Sequence, residues 1–309
     1  MRFTKAASIM MVSSMLIASS AACSDKKDPP VTSVSVGVGT GTISGNAFAP
    51  RDITVPVGTK VTFTITSDEA HTITFPSAPA PAGPAPTWPV TLKPSESANV
   101  DGAALINTGI VPKGSKFDLT FAKEGSFNYI CAIHPGMAGK VDVVASGKTY
   151  TTAPEAATKA KSEQDAVLAL EKGLRDETKA KQTSEKLPDG STRWIVPVGA
   201  SKVAPTGFLE LLEYFPPEVK IKAGDTIRWV ADSPHSVTFG QIQGDPTQAP
   251  ASKPSETYDG KSLYHSGIFA FGGPNAPKQF ELKFGDKGSF NYACALHGPL
   301  GHKGTVVVE

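Results

Sequence analysis

The chain has 309 residues, 39% hydrophobic and 19% charged, enough for two domains of ordinary size. Its 29 glycines and 26 prolines favour turn-rich β structure. A formal net charge of +1 implies no polybasic surface and argues against nucleic acid as a partner.

In chain order, residues 1–22 read as a secretory signal peptide. Arg2 and Lys5 form a short basic region, and Ala6 to Ala22 is apolar and rich in small residues. Cys23 follows Ser20-Ala21-Ala22, a pattern similar to a bacterial lipoprotein cleavage site, with Ser20 where such sites usually carry Leu. Lipidation at Cys23 would anchor the exported protein to a membrane at the periplasmic or cell-surface side. Ordinary cleavage near Ala21 is the alternative. Residues 23–36 are polar and Pro-containing and read as a tether.

Residues 37–146 and 192–309 form two repeats. The string Gly-Ser-Phe-Asn-Tyr-x-Cys-Ala-x-His occurs at Gly125–His134 and again at Gly288–His297. Lys116–His134 and Gln279–His297 align over 19 gap-free positions, 11 of them identical. Upstream, His71 in Glu-Ala-His-Thr-Ile-Thr-Phe matches His235 in Ser-Pro-His-Ser-Val-Thr-Phe, 60 and 59 positions before Cys131 and Cys294. Spacing kept over that distance predicts one fold used twice. Phe117, Leu119 and Phe121, a turn at Lys123-Glu124-Gly125, then Phe127, Tyr129 and Cys131 predict a β-hairpin ending at the thiol; Phe280 to Cys294 repeats it. Val61–Ile65 and Thr226–Val230 are further strands, and short strands between Gly and Pro turns indicate a sandwich or barrel. The alternating aromatics are core. Residues 76–90 form a Pro-Ala loop after His71 that can shape access to it. Between the repeats, residues 147–191 are a linker. Ala166, Leu168, Leu170 and Leu174 give it a narrow apolar stripe, compatible with one or two helices or with a mobile charged segment.

The chemistry lies on the duplicated loop. Cys131, His134 and Met137 supply a thiolate, an imidazole and a thioether within seven residues, and His71 adds a second imidazole from a distant strand. Two imidazoles and a thiolate with a weak axial Met form the blue-copper electron-transfer set. Thiols outside the cytoplasm otherwise tend to pair, and a Cys131–Cys294 disulfide is possible by count. Their identical contexts favour metal ligation instead.

On Tyr129-x-Cys131-x-x-His134-x-x-Met137-x-Gly139-x-Val141, with His71 after Gly58-Thr-x-Val-Thr-Phe63, the sequence resembles the cupredoxins of the plastocyanin and amicyanin branch. The resemblance covers both repeats. It implies an all-β chain of two tandem Greek-key β-sandwiches joined by a partly helical linker, with one or two copper ions, one at an end of each sandwich. Cytochromes or other cupredoxins are the redox partners it suggests.

The second copy departs from the pattern. It reads Cys294-Ala-Leu-His297-Gly-Pro-Leu300-Gly-His302-Lys-Gly304-Thr-Val306, two residues longer. Counting forward from His297 puts Leu300 in the place of Met137; counting back from Gly-x-Val puts His302 there. Leu300 would leave a three-coordinate site of raised potential. His302, a harder ligand, would favour Cu(II), lower the potential and turn the colour from blue toward green or red; with His235, Cys294 and His297 it would also suit zinc. His265 falls where the first copy has Asn107, and is either near the metal or an ordinary polar turn residue. Electron transfer is the leading expectation. Copper capture or delivery is an alternative, and a two-domain copper oxidoreductase a lesser one. No His-x-His pair exists, and Ile130 and Ala293 precede the cysteines where oxidases place a linking His.

Overall fold

In the computed structural model, residues 28–231, 233–270 and 276–309 are described. The expected signal peptide and the expected lipidation at Cys23 lie outside them. The first domain is built from β1 (Ser33–Val38), β2 (Ile43–Ala49), β3 (Asp52–Pro56), β4 (Thr59–Ile65), β5 (Thr74–Phe75), β6 (Ser97–Val100), β7 (Ile106–Asn107), β8 (Lys116–Phe121), β9 (Gly125–Ile130) and β10 (Ala138–Val144). Helices α1 (Ala153–Leu168) and α2 (Glu171–Lys179) and strand β11 (Thr183–Lys186) follow. The second domain contains β12 (Thr192–Ala204), β13 (Gly207–Tyr214), β14 (Glu218–Ile221), β15 (Thr226–Val230), β16 (Thr238–Phe239), β17 (Thr257–Tyr258), β18 (Tyr264–His265), β19 (Gln279–Phe284), β20 (Gly288–Ala293) and β21 (Lys303–Val308).

Each domain is a two-sheet sandwich, and the strand orders match. One sheet runs β3-β10-β9-β5-β7 in the first domain and β14-β21-β20-β16-β18 in the second. The other runs β2-β1-β4-β8-β6 and β13-β12-β15-β19-β17. These last two are fused: β2 pairs with β13 antiparallel, Ser44 opposite Glu210, so one sheet crosses the whole molecule. Alternate residues of β8 and β19 face inward, Phe117, Leu119 and Phe121 being fully buried on β8 and Phe280, Leu282 and Phe284 nearly so on β19. Tyr129 and Tyr292 are buried at the centres of their cores, and Phe127 and Phe290 pack at the margins.

Two sequence expectations are corrected. The strands of Phe117–Cys131 and Phe280–Cys294 form, but not as hairpins. Strand β8 lies between β4 and β6 while β9 lies between β10 and β5, so the turn at 122–124 carries the chain from one sheet to the other. Period-two alternation identifies a half-buried strand without identifying its neighbour. The tether expected over 23–36 also ends early. Strand β1 starts at Ser33 and buries Val34 and Val36, pairing with β2 and β4.

The linker is helical in part, over Ala153–Leu168 and Glu171–Lys179. Thr152 caps α1 through a capping box with Glu155. The narrow stripe is used at the junction. Val167 and Leu174 are buried with Ala47 of β2 and Leu209, Leu211 and Phe215 at β13, forming a third apolar cluster over the strand seam. Glu163 accepts from the Arg51 amide at 2.8 Å, tying α1 to the first domain.

Candidate metal centres

The long strands end beside two matched clusters. Nitrogen and sulfur donors of His71, Cys131 and His134 lie within 4.8 Å of one another, as do those of His235, Cys294, His297 and His302. In the first cluster His134 Nδ1 is 3.3 Å from Cys131 Sγ and 3.0 Å from His71 Nδ1, and Sγ is 3.8 Å from His71 Nδ1. In the second, His297 Nδ1 is 3.5 Å from Cys294 Sγ and 3.1 Å from His235 Nδ1. One ion held at roughly 2 Å from each donor spans such separations. Both thiols are free and buried.

The local chain explains the convergence. The ladder between β9 and β10 closes the Cys131 loop, with the Cys131 amide donating to Met137 O at 2.9 Å. Thr72 Oγ1, next to His71, accepts from Ala132 N at 2.6 Å, and Ser236 Oγ accepts from Ala295 N at 2.8 Å in the second domain. These bonds pin the upstream histidine segment to the cysteine loop. The Thr72 amide also points at Cys131 Sγ from 3.3 Å, a donor suited to a thiolate.

Charge and burial set the protonation states. Burial alone would push both thiols up, but His134 and His71 hold Cys131 well below the usual thiol range, and His235, His297 and His302 do the same for Cys294. Thiolate is the form a metal needs. Burial alone would lower His297, yet Cys294 and Glu69 raise it to about 10. His302 goes the other way: burial drives it down to about 4, keeping it neutral with lone-pair nitrogen available. Neither of its ring nitrogens has a hydrogen-bond partner, although the side chain is fully buried. A buried imidazole without partners is costly unless something ligates it.

The backbone settles the loop register. Tyr129 pairs with Gly139, and Tyr292 with Gly304. The Cys294 amide donates to His302 O at 3.0 Å, as Cys131 does to Met137. His302 therefore occupies the place of Met137, while Leu300 sits in a 3-10 turn spanning Gly298–Leu300 that absorbs the two extra residues. Met137 itself is buried. His265 takes the place of Asn107: its Nδ1 lies 2.9 Å from Thr238 Oγ1, as Asn107 Oδ1 accepts from Thr74 Oγ1 at 2.9 Å. It is not among the gathered donors. The Pro-Ala loop is held against this region by Asn107 Nδ2, which donates to the carbonyls of Trp88 and Pro89.

Four residues around the site carry no signal in the sequence. Ser67 Oγ lies 2.8 Å from His71 Nε2, and Glu210 Oε1 lies 3.1 Å from His235 Nε2. Glu69 Oε1 lies 3.2 Å from His134 Nε2 and 3.4 Å from His297 Nε2. Burial alone would raise Glu69, but these two imidazoles hold it well below the usual carboxylate range. Ser44 donates to its other oxygen. Such outer partners fix the tautomer and direction of ligating histidines. Glu69 stands two positions before His71, but the second repeat has Ser233 there, so the duplication gave no hint of it. Glycines hold a matching role. Gly37 (φ +75°) and Gly199 (φ +67°) form bulges in β1 and β12, and a Cβ there would collide with His71 Nε2 and His235 Nε2 respectively.

The fold and donor sets define a copper-binding β-sandwich repeated in tandem. The family model of copper-binding proteins of the plastocyanin/azurin family matches residues 33–144 and 202–309, and the chain belongs to that family. The plastocyanin of Scenedesmus fuscus is 33% identical over 101 residues, covering 32% of this chain and 88% of that protein. The plastocyanin of Nostoc punctiforme is 32% identical over 102 residues, 32% of this chain and 66% of that protein. Among solved structures, a purple cupredoxin from Nitrosopumilus maritimus is 24% identical with a TM-score of 0.25, covering 37% of this chain and 99% of that one.

Both clusters fit copper. Each offers a thiolate and two imidazoles, and the orphaned nitrogens of His302 fit a fourth donor in the second.

Proposed function

We propose that the protein is an exported electron carrier holding two copper ions. His71, Cys131, His134 and Met137 form a type 1 site in the first domain. His235, Cys294, His297 and His302 form a modified site in the second. Copper supplies the one-electron couple between Cu(I) and Cu(II). The protein's part is to keep the ligands still, so that little reorganises when charge changes. The observation that carries this reading is the enclosure of the histidine and cysteine donors. All but His297 are buried, and the His297 side chain is only 14% exposed; backbone bonds to a neighbouring strand close each cluster. That enclosure suits a centre that passes electrons better than one that must admit a substrate to an open coordination position. We further propose that Cys23 is lipidated and tethers the carrier to a membrane. A shift in the intact mass of the mature N-terminus would report that modification, and an unmodified Cys23 would refute it.

The test is visible and EPR spectroscopy of the copper-loaded wild type, Cys131→Ser and Cys294→Ser. A blue type 1 signal survives in Cys294→Ser and is lost in Cys131→Ser. If neither variant changes the spectrum, the assignment is wrong. If the copper passes irreversibly to an apo-acceptor before it cycles, the protein delivers copper instead.

A further inference from the structure

The two centres meet at one carboxylate. Both loop histidines turn their Nδ1 atoms toward their own cysteines and their Nε2 atoms toward Glu69 of the first domain. Between them stands Glu69, whose Oε1 is 3.2 Å from His134 Nε2 and 3.4 Å from His297 Nε2. The side chains of Glu69, His134 and His297 are 6%, 10% and 14% exposed, so these imidazole edges face each other rather than solvent. Phe208 of the second domain packs beside His134, with ring centroids 6.3 Å apart. Ser44 holds the far oxygen of Glu69, and Ser44 sits opposite Glu210, the partner of His235. The strand seam thus places the outer partners of three metal-facing imidazoles in one buried knot. Chance contact between neighbouring domains does not account for a buried carboxylate shared by the same histidine of both copies, since an unpaired charge there would be expensive.

We propose that Glu69 joins the two centres into one redox unit, in which an electron is exchanged internally along His134–Glu69–His297. The proposal rests on both centres holding copper. With Nδ1 of each histidine directed at the metal, Nε2 keeps its proton, and a single oxygen accepts from His134 and lies 3.4 Å from His297 Nε2. In the exchange Cu(I) in one domain is oxidised to Cu(II) and Cu(II) in the other is reduced to Cu(I). One electron moves, no bond is broken and no proton leaves. Glu69 is a positioning residue: it ligates nothing itself, and acts by aligning the two imidazoles.

The experiment uses the full chain loaded with copper, as wild type, Glu69→Gln and Glu69→Leu. One centre of the fully oxidised protein is reduced photochemically, and the decay of its signal against the recovery of the other is followed at several protein concentrations. In the wild type the exchange rate is independent of protein concentration. It falls in Glu69→Leu by about tenfold or more, the size usual for losing an outer partner of a ligating histidine, and by less in Glu69→Gln. The visible and EPR signatures of both centres shift together in Glu69→Leu, although the residue belongs to one domain. An unchanged rate in Glu69→Leu overturns the proposal, as does a rate that scales with protein concentration. If Glu69→Leu fails to retain both coppers, Glu69→Gln, which keeps the shape and removes the charge, is judged by the same criterion. A wild type that binds one copper overturns the bridge and leaves the carrier reading standing. A wild type with no intense visible band overturns both.

Discussion

Met137 and His302 occupy one place in the backbone ladder, and that exchange is the sharpest chemical difference between the domains. Thioether is a weak, soft donor; imidazole is harder and binds Cu(II) more firmly. His302→Met should therefore raise the potential of the second centre and move its visible spectrum toward that of the first. Redox titration of Cys131→Ser, which isolates the second centre, checks this. A potential unmoved by His302→Met would mean that His302 does not ligate. The bulge glycines give a second prediction at this scale. Gly37→Ala drives a methyl into His71, and Gly199→Ala into His235. Each should weaken copper binding in its own domain only and cost about 1–3 kcal/mol of stability from backbone strain. Chelator competition and thermal melts of the two variants measure both effects.

At the scale of elements, the turn between β14 and β15 shows how one side chain organises several backbone donors. Asp225 accepts from the amides of Thr192 and Lys222 and from the Trp194 indole. Burial alone would raise its carboxyl, but these donors and nearby Lys186 hold it below the ordinary value. Its stabilising effect is therefore complete above the unfolded pKa of about 3.9, and is lost as pH falls through the lower folded value. Asp225→Asn should be less stable than wild type at neutral pH, with the difference closing in acid; melting curves across that range report it. Strands were legible in the sequence because burial on one face writes itself as alternation, as in Phe117, Leu119 and Phe121. Their pairing was not legible, because β8 and β9 look like a hairpin whether the intervening turn folds back or crosses the sandwich. The clustered candidate donors were legible because a thiol and two imidazoles recur at matched spacing. Glu69, Glu210 and Ser67 were not: a lone carboxylate or hydroxyl has no periodicity, and what each partners is decided only when distant segments meet.

At the scale of the molecule, the strand seam and the helices over it join the domains through one sheet and one shared apolar cluster. Leu211 is fully buried at that junction with Val167 and Leu174. Leu211→Ala should cost about 2–5 kcal/mol. Because the lost packing is shared, calorimetry of the metal-free protein should show a single transition that moves as a whole. Two separated transitions, only one of them shifted, would show that the seam does not couple the domains.

The seam has a historical consequence. Strands β2 and β13 are counterparts in the two repeats, and they pair antiparallel with the equivalent positions Ser44 and Glu210 face to face. Two identical copies of one domain would meet in the same way, as an isologous dimer about a two-fold axis through that pair. In such a dimer every change appears twice. A mutation to Glu at position 69 would put two carboxylates into the space that now holds one, and an axial histidine would alter both centres at once. Covalent fusion removes that constraint. It lets one half carry Met137 and Glu69 while the other carries His302 and Ser233. If the two centres exchange an electron as proposed, unequal ends would give that exchange a direction, which a dimer of identical copies could not provide.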